Sequence, residues 1–354
     1  MRTMPYTHPS FFGVTAKALG GGYWNGTLRI ECMHSYEHII SIENLLLAWQ
    51  EFRLGKRSRR DVQAFGLKLM ANIIALHRDL AAKQYVHAPY RAFKIADPKP
   101  RDIHKAPVRD RIVHRALYRK LYPFFERRFI ADSYSCQKRK GTHKALKRFR
   151  AFVRIVSKNN TRTCWVLKCD IRKFFANIDH TILMDILRRH IADADILNLL
   201  RGIIGSFATP GKFGIGLPLG NLTSQLLVNI YMNEFDAFVK RGLRERHYIR
   251  YADDFVFLSA DRAYLQALVP RVSSFLKDRL RLELHPDKLF IKTVASGVDF
   301  LGWIHFPDHR VLRTTTKKRM IRRLEAKPND AVTASYRELL RHGNAKKLEA
   351  RYLL

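Results

Sequence analysis

The sequence predicts an α+β fold, because helical and strand patterns occupy separate stretches of one chain. Apolar residues recur at helical spacing over 36–83 and again over 113–125. The run 165–169 is a buried-strand pattern, and 248–258 has the pattern of a β-hairpin. The 354 residues are enough for two or three compact subdomains, and a hydrophobic content of 47% permits a sizeable core.

The charge balance predicts a polyanionic partner. The chain carries 65 Lys and Arg against 31 Asp and Glu, a net charge of +34. Nucleic acid fits better than a membrane, because no run approaches 18 uninterrupted apolar residues. A ribosomal or simply cationic protein would explain the charge but not the aromatic-rich, fully patterned core.

The positive charge is concentrated in two regions. Residues 101–150 hold 16 basic against 4 acidic residues, a net of +12, and residues 310–354 hold 13 against 4, a net of +9. Each run alone would be read as a solvated face. Together they flank a more neutral middle region. This distribution favours two basic regions that bind a phosphate backbone and a middle region that carries out the reaction.

The first half of the chain reads as helices interrupted by one hairpin. Two apolar stripes within 36–83 are separated by a basic connection at 55–60. From Tyr90 the pattern changes to two short strands around the turn Asp97-Pro98-Lys99-Pro100. We expect helix again over 113–125.

Cysteine usage and the N-terminus predict a cytoplasmic protein. No pair of cysteines shows C-x-x-C spacing, so the pattern argues against zinc, and we expect Cys164 and Cys169 to be reduced core thiols. The segment up to Gly22 has no secretory signal pattern. The irregular residues 1–32 leave open whether Met1 or Met33 is the start. The four cysteines are Cys32, Cys136, Cys164 and Cys169.

The most informative motif is Tyr251-Ala252-Asp253-Asp254 in the predicted hairpin. We expect its turn to expose two adjacent carboxylates, which repel each other unless a cation lies between them. A pair of divalent ions clamping a phosphoryl group is one chemistry that needs such an arrangement. The alternative is an ordinary solvated turn rich in Asp.

A third carboxylate is predicted at the end of the strand 165–169. Asp170 follows that strand directly, and Asp179 is placed to cap a helix over 181–191. A strand ending in Asp beside a hairpin carrying Asp-Asp would bring three acids together. The alternative for Asp170 is a strand-end cap.

An ordered set of further motifs resembles those of reverse transcriptases, over about residues 36–325. Asp170-x-x-x-Phe174-Phe175 and Tyr251-Ala252-Asp253-Asp254 look like motifs A and C. Between and after them lie segments similar to motifs B, D and E, and two upstream segments resemble the fingers motifs. These are Gly216-Leu217-Pro218-Leu219-Gly220-Asn221-Leu222-Thr223-Ser224-Gln225, Leu284-His285-Pro286-Asp287-Lys288, Phe300-Leu301-Gly302-Trp303, Lys99-Pro100-Arg101 through Arg115, and Ser133-Tyr134 through His143.

The resemblance implies a right-hand polymerase with an antiparallel palm sheet flanked by helices. The implied parts are an N-terminal extension and helical RNA-binding region at 1–84, fingers at 85–165, palm at 166–310 and a short basic helical thumb at 311–354. The implied activity is RNA-directed DNA synthesis.

It also implies a two-metal site. Asp170, Asp253 and Asp254 would be the metal carboxylates, and Ile171 would add a backbone carbonyl. Two Mg²⁺ ions, replaceable by Mn²⁺, would activate the primer 3′-hydroxyl and neutralise the triphosphate. Lys288 matches the motif D lysine, which is thought to protonate the leaving pyrophosphate; the alternative is a solvated lysine.

Nucleotide and nucleic-acid contacts follow from the same resemblance. Phe175 would be the steric gate against a ribose 2′-hydroxyl, while Phe174 is expected to be a core aromatic. Gly220 would let the backbone approach the nascent base pair. The remaining dNTP-binding positions are Lys138, Arg139, Lys140, Leu219 and Gln225, and the template or primer positions are Arg101, Arg111, Tyr251, Leu301, Gly302 and Trp303.

Motif B departs from the commonest retroviral and intron pattern, because Leu219 stands where a Gln precedes the Gly. The form present here is similar to diversity-generating retroelement enzymes, which copy a template RNA with frequent errors at adenines. A Leu cannot hydrogen-bond the incoming nucleotide or template, and losing a contact of about 1–3 kcal/mol weakens discrimination. We therefore expect low fidelity.

Other functions stay open at this point. A phage-defence or retron-type reverse transcriptase shares most of these motifs, and a non-catalytic RNA-binding protein is the alternative from another class. About 40 residues follow 306–310, which leaves room for a thumb but not for a maturase and endonuclease region. The expected partners are a structured template RNA, the cDNA/RNA hybrid, dNTPs and a small basic accessory protein, with no membrane, in a bacterial or phage-encoded system.

Overall fold

The protein is described by a computed structural model that covers residues 35–96, 100–326 and 329–353. The expectations for residues 1–32, Cys32 and the start at Met33 lie outside these ranges. The predicted helical region at 36–83 is confirmed. It consists of α1 (Tyr36–Ile40), α2 (Ile42–Arg53), α3 (Arg60–Leu67) and α4 (Leu69–Ala81).

The region after these helices forms a hairpin and two long helices. Strands β1 (Arg91–Ile95) and β2 (Arg101–Lys105) pair antiparallel, as predicted, although the turn residues 97–99 lie outside the described part. Helices α5 (Val108–Glu126) and α6 (Thr142–Val156) follow. The predicted helix at 113–125 is thus found with one additional turn at its start.

A four-stranded antiparallel sheet, the palm sheet, forms the centre of the fold. Its strand order is β4-β5-β3-β6, so β3 and β5 lie in the middle. Its strands and the helices between them are β3 (Trp165–Asp170), α7 (His180–Arg188), α8 (Ala194–Gly205), α9 (Leu222–Ala237), β4 (Tyr248–Tyr251), β5 (Asp254–Ser259), α10 (Arg262–Leu280) and β6 (Phe290–Thr293).

Alternate residues of the palm strands point to opposite faces of the sheet, and each face packs against a separate hydrophobic core. Leu167, Cys169 and Phe255 belong to the larger core, together with residues of α5, α9 and α10. Val166 and Val256 belong to a second core, shared with α6 and the C-terminal region. The confirmed N-cap at Asp179, whose Oδ1 accepts from the Ile182 amide at 3.0 Å, starts α7 beside this sheet.

The C-terminal region is a three-stranded sheet followed by helices. Its strands and helices are β7 (Val298–Phe300), β8 (Trp303–His305), β9 (Arg310–Leu312), α11 (Thr314–Ala326), α12 (Asp330–Leu340) and α13 (Lys346–Tyr352). A helical thumb was expected over 311–354, where α11, α12 and α13 lie. Cys164 and Cys169 are buried free thiols, as predicted. Within residues 35–96, 100–326 and 329–353, no helix has the length and apolarity needed to cross a bilayer.

Candidate active site

Three carboxylates meet at one end of the palm sheet. Asp170, the last residue of β3, lies directly opposite Asp254, the first residue of β5, in the antiparallel register. Directly opposed residues of such strands are about 4.5–5.5 Å apart between Cα atoms. Asp253 precedes Asp254 in the turn, and its carbonyl accepts from the Ile171 amide at 3.2 Å.

The turn that carries Asp253 is tight. It consists of Ala252 and Asp253, since β4 ends at Tyr251 and pairs with Asp254. Ala252 has a φ of +57°, in the left-handed region that is costly for a residue with a side chain. The predicted hairpin is confirmed, but the expectation that its turn exposes both acids is wrong. Asp254 belongs to β5 and its side chain is only 19% exposed.

Burial makes the Asp253 and Asp254 carboxyl groups reluctant to ionise. Burial raises the pKa of Asp254 to about 7, with Asp170 and Asp253 adding to the rise and Lys168 opposing it. The pKa of Asp253 is raised in the same way, by burial and then by the Asp170 charge. A site that concentrates three acids under these conditions favours a cation.

Two lysines supply positive charge to this cluster. Lys288 Nζ lies 2.8 Å from Asp170 Oδ1, and Lys168 Nζ lies 3.3 Å from Asp254 Oδ1. Among the described residues, no donor meets the buried Asp254 Oδ1 in hydrogen-bond geometry. Lys168 is a site residue that was not predicted from the sequence. Its position two residues before Asp170 on a strand could have identified it, since it must share the face of that carboxylate.

The donor set fits a hard divalent cation, because carboxylate oxygens are its preferred ligands. Asp254 Oδ1, which lacks a hydrogen-bond partner among the described residues, is one such oxygen. In the part of the chain that the structure describes, no three Asp, Glu, His or Cys side chains are grouped as a metal site as they stand. Metal binding at these acids would therefore replace the lysine contacts of Asp170 and Asp254.

A cleft of about 500 Å³ adjoins the acids and contains several predicted nucleotide contacts. Its walls include Arg101, Phe175, Leu219 and Asp253. Phe175 is half-buried and meets Phe174 edge-on, with ring centroids 5.5 Å apart. Phe174 is 3% exposed, as expected of a core aromatic. The cleft thus joins the predicted gate ring to one of the predicted metal carboxylates.

The motif B loop is tied to the hairpin of β1 and β2. The His104 amide donates to the Leu219 carbonyl at 3.1 Å, and Asn221 Nδ2 donates to the His104 carbonyl at 2.8 Å. Gly220 lies between these bonds with a φ of +106°, and a Cβ there would come within 2.9 Å of Ile103 Cγ2. The close approach that this glycine permits in the structure is therefore to the hairpin. Gln225 is half-buried in the first turns of α9.

The three basic residues predicted to meet the triphosphate are not equivalent. Lys138 and Arg139 are exposed. Lys140 Nζ donates to three backbone carbonyls, those of Ile130, Ala131 and Ser133, at 2.8–3.0 Å. A lysine ammonium has three donors, so this placement uses all of them and leaves Lys138 and Arg139 as the triphosphate candidates.

Two predicted template or primer residues have structural partners instead. Arg111 Nη2 lies 2.7 Å from Asp61 Oδ2, and its guanidinium covers the Phe52 ring at 4.8 Å. Trp303 is 2% exposed and packs under Arg310. These placements do not support nucleic-acid contact by Arg111 or Trp303, because the half-buried Arg111 is paired with Asp61 and Trp303 is buried.

The other predicted template or primer residues lie nearer the surface. Arg101 is exposed and lines the cleft beside Asp253. Leu301 and Gly302 form the turn between β7 and β8 and are half-buried, with φ values of +51° and +87°. The Tyr251 hydroxyl accepts from Thr142 Oγ1 at 3.1 Å, which links the hairpin to the start of α6.

A fully buried arginine supports the turn from below. Arg250 Nη2 and Nε donate to the two Asp236 carboxylate oxygens at 2.6 and 2.8 Å, and Arg250 Nη1 donates to the Ala252 carbonyl at 3.2 Å. The Tyr248 hydroxyl donates to Asp236 Oδ1 at 2.8 Å. The sequence analysis missed this network. A charge at an inward strand position, two residues from Tyr248, could have identified it.

Comparison with known proteins agrees with this geometry. Residues 96–305 match the family described as reverse transcriptase (RNA-dependent DNA polymerase). Because the match covers more than half of the chain, the chain belongs to the reverse transcriptase family. Its fold is therefore that of a right-hand polymerase, and its enzyme class is RNA-directed DNA polymerase. Reverse transcriptase domains are generally dependent on divalent metal ions.

Several relatives share part of the chain. Protein YkfC of Escherichia coli (strain K12) is 29% identical over 288 residues, which are 71% of this chain and 74% of YkfC. The group II intron-encoded protein LtrA of Lactococcus lactis subsp. cremoris is 23% identical over 305 residues, 66% of this chain and 49% of LtrA. A telomerase structure from Candida albicans aligns with a TM-score of 0.48 and 14% identity, over 74% of this chain and 54% of that one. The chain thus spans about half the length of LtrA.

Proposed function

We propose that this protein copies a structured RNA into DNA by two-metal phosphoryl transfer, with Mg²⁺ as the physiological ion. The observation that carries the proposal is the meeting of Asp170, Asp253 and Asp254 at the end of β3 and β5. When bound, the ions would activate the primer hydroxyl and neutralise the charge of the triphosphate. The Ile171 carbonyl remains the proposed fourth protein ligand.

The side chains around the acids have separate proposed roles. Lys288, which is 40% exposed and bonded to Asp170, would hold a proton and later release it to the leaving group. Phe175 would exclude a ribose 2′-hydroxyl from the cleft that it lines. Lys138 and Arg139 would bind the triphosphate, for which exposed cations are suited.

The proposed subtype is a diversity-generating retroelement enzyme that misincorporates opposite template adenines. The support comes from one residue. Leu219 lines the cleft beside Asp253, and its side chain cannot form the hydrogen bond that a glutamine would form there. A small basic accessory protein and a cytoplasmic location belong to the same proposal.

Substitution of Asp253 by alanine tests the activity. We expect Asp253→Ala to lower dNTP incorporation on a primed RNA template by on the order of a thousandfold, since a metal carboxylate contributes several kcal/mol to the transition state. Binding of the unprimed RNA should change less than threefold, because Asp253 is not a phosphate contact.

Asp185→Ala is the matched control, since Asp185 is an exposed acid of α7 paired with Arg188. It should leave incorporation unchanged. Wild-type incorporation by Asp253→Ala would remove Asp253 from the reaction and, with it, the two-metal proposal.

A further inference from the structure

A second cleft, of about 550 Å³, lies between α6 and the C-terminal region. One wall is the face of α6 that carries Lys147 and Arg150. The other walls are the turn joining β8 to β9 and the residues between α12 and α13. We call it the basic cleft. None of its lining residues lines the cleft beside Asp253.

The basic cleft is strongly cationic. Lys147, Arg150, Arg310 and Arg341 line it, and Asp308 is the one carboxylate residue among its lining residues. The Asp308 carboxylate is bonded to His309 Nδ1 at 2.7 Å. Just outside, Glu338 pairs with Arg341 and His342, each at 3.3 Å. Positive charge therefore exceeds the negative charge available within the cleft, which favours an anionic ligand.

The floor of the basic cleft is fixed before any ligand arrives. Arg310 Nε donates to the His342 carbonyl, and its guanidinium lies 5.2 Å from the Trp303 ring centroid. Asn344 donates its amide to the Arg310 carbonyl at 2.8 Å. The Arg310 Nη atoms have no hydrogen-bond partner among the residues that the structure describes. A guanidinium held in this way is preorganised for a phosphate.

The side walls supply further donors that suit phosphate. Arg150 Nη2 makes one 3.3 Å bond to the Asp308 carbonyl, and Lys147 is exposed. The His143 and His342 rings lie against each other with centroids 3.9 Å apart, across the junction of α6 with the segment after α12. The walls therefore join residues about 200 positions apart in sequence into one surface.

The basic cleft and two of the predicted primer contacts lie at opposite ends of the three-residue strand β8. Its β8–β9 turn, at 306–309, lies at the opposite end of β8 from Leu301 and Gly302, the predicted primer contacts. A nucleic acid in the cleft would thus be held beyond the primer end.

We propose that the basic cleft binds the phosphodiester backbone of a folded segment of the RNA, outside the copied stretch. This rests on the proposed function, because it assigns the RNA of that function a second point of attachment. Phosphate is favoured over a carboxylate ligand because a fixed guanidinium and neighbouring exposed cations can contact successive phosphates of one strand.

The test reverses the charge of two residues on the α6 wall of the basic cleft. A control variant, the matched pair, reverses two other charges on the same helix. Lys147→Glu/Arg150→Glu changes two residues that line the cleft. Lys144→Glu/Arg154→Glu makes the same charge change at two exposed positions of α6 that do not line it. The probes are a 20-base-pair RNA hairpin with a blocked 3′ end and an RNA/DNA hybrid of the same length.

We expect Lys147→Glu/Arg150→Glu to weaken hairpin binding at least tenfold and to make the slope of log K against log salt shallower by about two, one for each lost phosphate contact. The matched pair should change both quantities less than threefold. Incorporation of the first nucleotide at saturating primed template should stay within twofold of wild type, which separates this proposal from the polymerase assignment.

Equal weakening by the two double variants would overturn the proposal, because diffuse charge would then explain the binding. A loss confined to the RNA/DNA hybrid would also overturn it, by assigning the cleft to the product duplex. If the reversed variant does not fold by circular dichroism, Lys147→Gln/Arg150→Gln is compared with Lys144→Gln/Arg154→Gln by the same criteria.

Discussion

Two charged clusters adjoin the turn between β4 and β5 of the palm sheet and are built in opposite ways. At the strand ends, Asp170 has a single 2.8 Å contact with a lysine that is 40% exposed, and Asp254 has one at 3.3 Å that lacks hydrogen-bond geometry. Beneath the turn, Arg250 and Asp236 are 1% and 0% exposed and share a two-pronged pair. The first cluster is incompletely satisfied and the second is closed.

This difference separates chemistry from support. Carboxylates at partly exposed lysine contacts can exchange the lysines for a metal ion. The buried pair of Arg250 and Asp236 instead fixes the local geometry. Arg250 also bonds the Ala252 carbonyl, so the closed cluster fixes the strained turn that presents Asp253. The backbone of Arg250 further bonds Asp132 and Tyr134, which ties the turn to the segment before Lys138.

The largest expected effect comes from opening the closed cluster. Arg250→Met should lower the free energy of unfolding by about 3–5 kcal/mol, because it leaves the buried Asp236 carboxylate with the neutral Tyr248 hydroxyl and without its cationic partner. Urea denaturation monitored by circular dichroism measures it. Arg246→Met, the same change at an exposed position before β4, should stay within about 0.5 kcal/mol. A loss below 1 kcal/mol for Arg250→Met would show that the two clusters do not differ as described.

The local part of this architecture could be predicted from sequence. Strand and hairpin patterns predicted β3, β4 and β5, and their end residues predicted the meeting of Asp170 with the turn, because strand alternation and tight turns are local rules. The capping role of Asp179 followed from the same kind of rule.

The partners of individual cations could not be predicted. Arg111 pairs with Asp61, fifty positions earlier, and Lys140 turns inward to three carbonyls. In a chain of net charge +34, every Lys and Arg is a candidate for contact with nucleic acid. The choice between solvent and an internal acceptor depends on tertiary packing, which local patterns do not contain. The burial of Trp303 against Gly343 was hidden for the same reason.

The incompletely satisfied cluster predicts a pH dependence in the absence of metal. The folded pKa of Asp254, about 7, lies above its ordinary value of 3.8, so the folded protein binds a proton that the unfolded chain releases between these pH values. This contribution to stability is complete below pH 4 and is lost as the pH rises through 7. In EDTA, the free energy of unfolding of the wild type should therefore fall by about 3 kcal/mol between pH 5 and 8. Asp254→Asn should not show this fall, because it has no proton to lose at this position.

Urea denaturation of both proteins at each pH measures this difference. Added Mg²⁺ should oppose the loss at pH 8 in the wild type and have little effect at pH 5, where the carboxylate is protonated. Parallel pH curves for wild type and Asp254→Asn would show that the Asp254 proton contributes nothing, and the contrast between the two clusters would then rest on geometry alone.

The smallest expected effect concerns fidelity in the cleft beside the open cluster. Leu219→Gln should lower misincorporation opposite template adenines roughly tenfold, about 1.4 kcal/mol, because an amide restores a directional contact with the nascent pair. The backbone at this position is held by the His104 amide, so the substitution changes only the side chain presented to the cleft. Sequencing of cDNA made from one RNA template measures the error rate, and Leu219→Met, which keeps the apolar character, should leave it unchanged. An unaltered adenine error rate in Leu219→Gln would contradict the proposal that Leu219 lowers fidelity, and with it the proposed retroelement subtype.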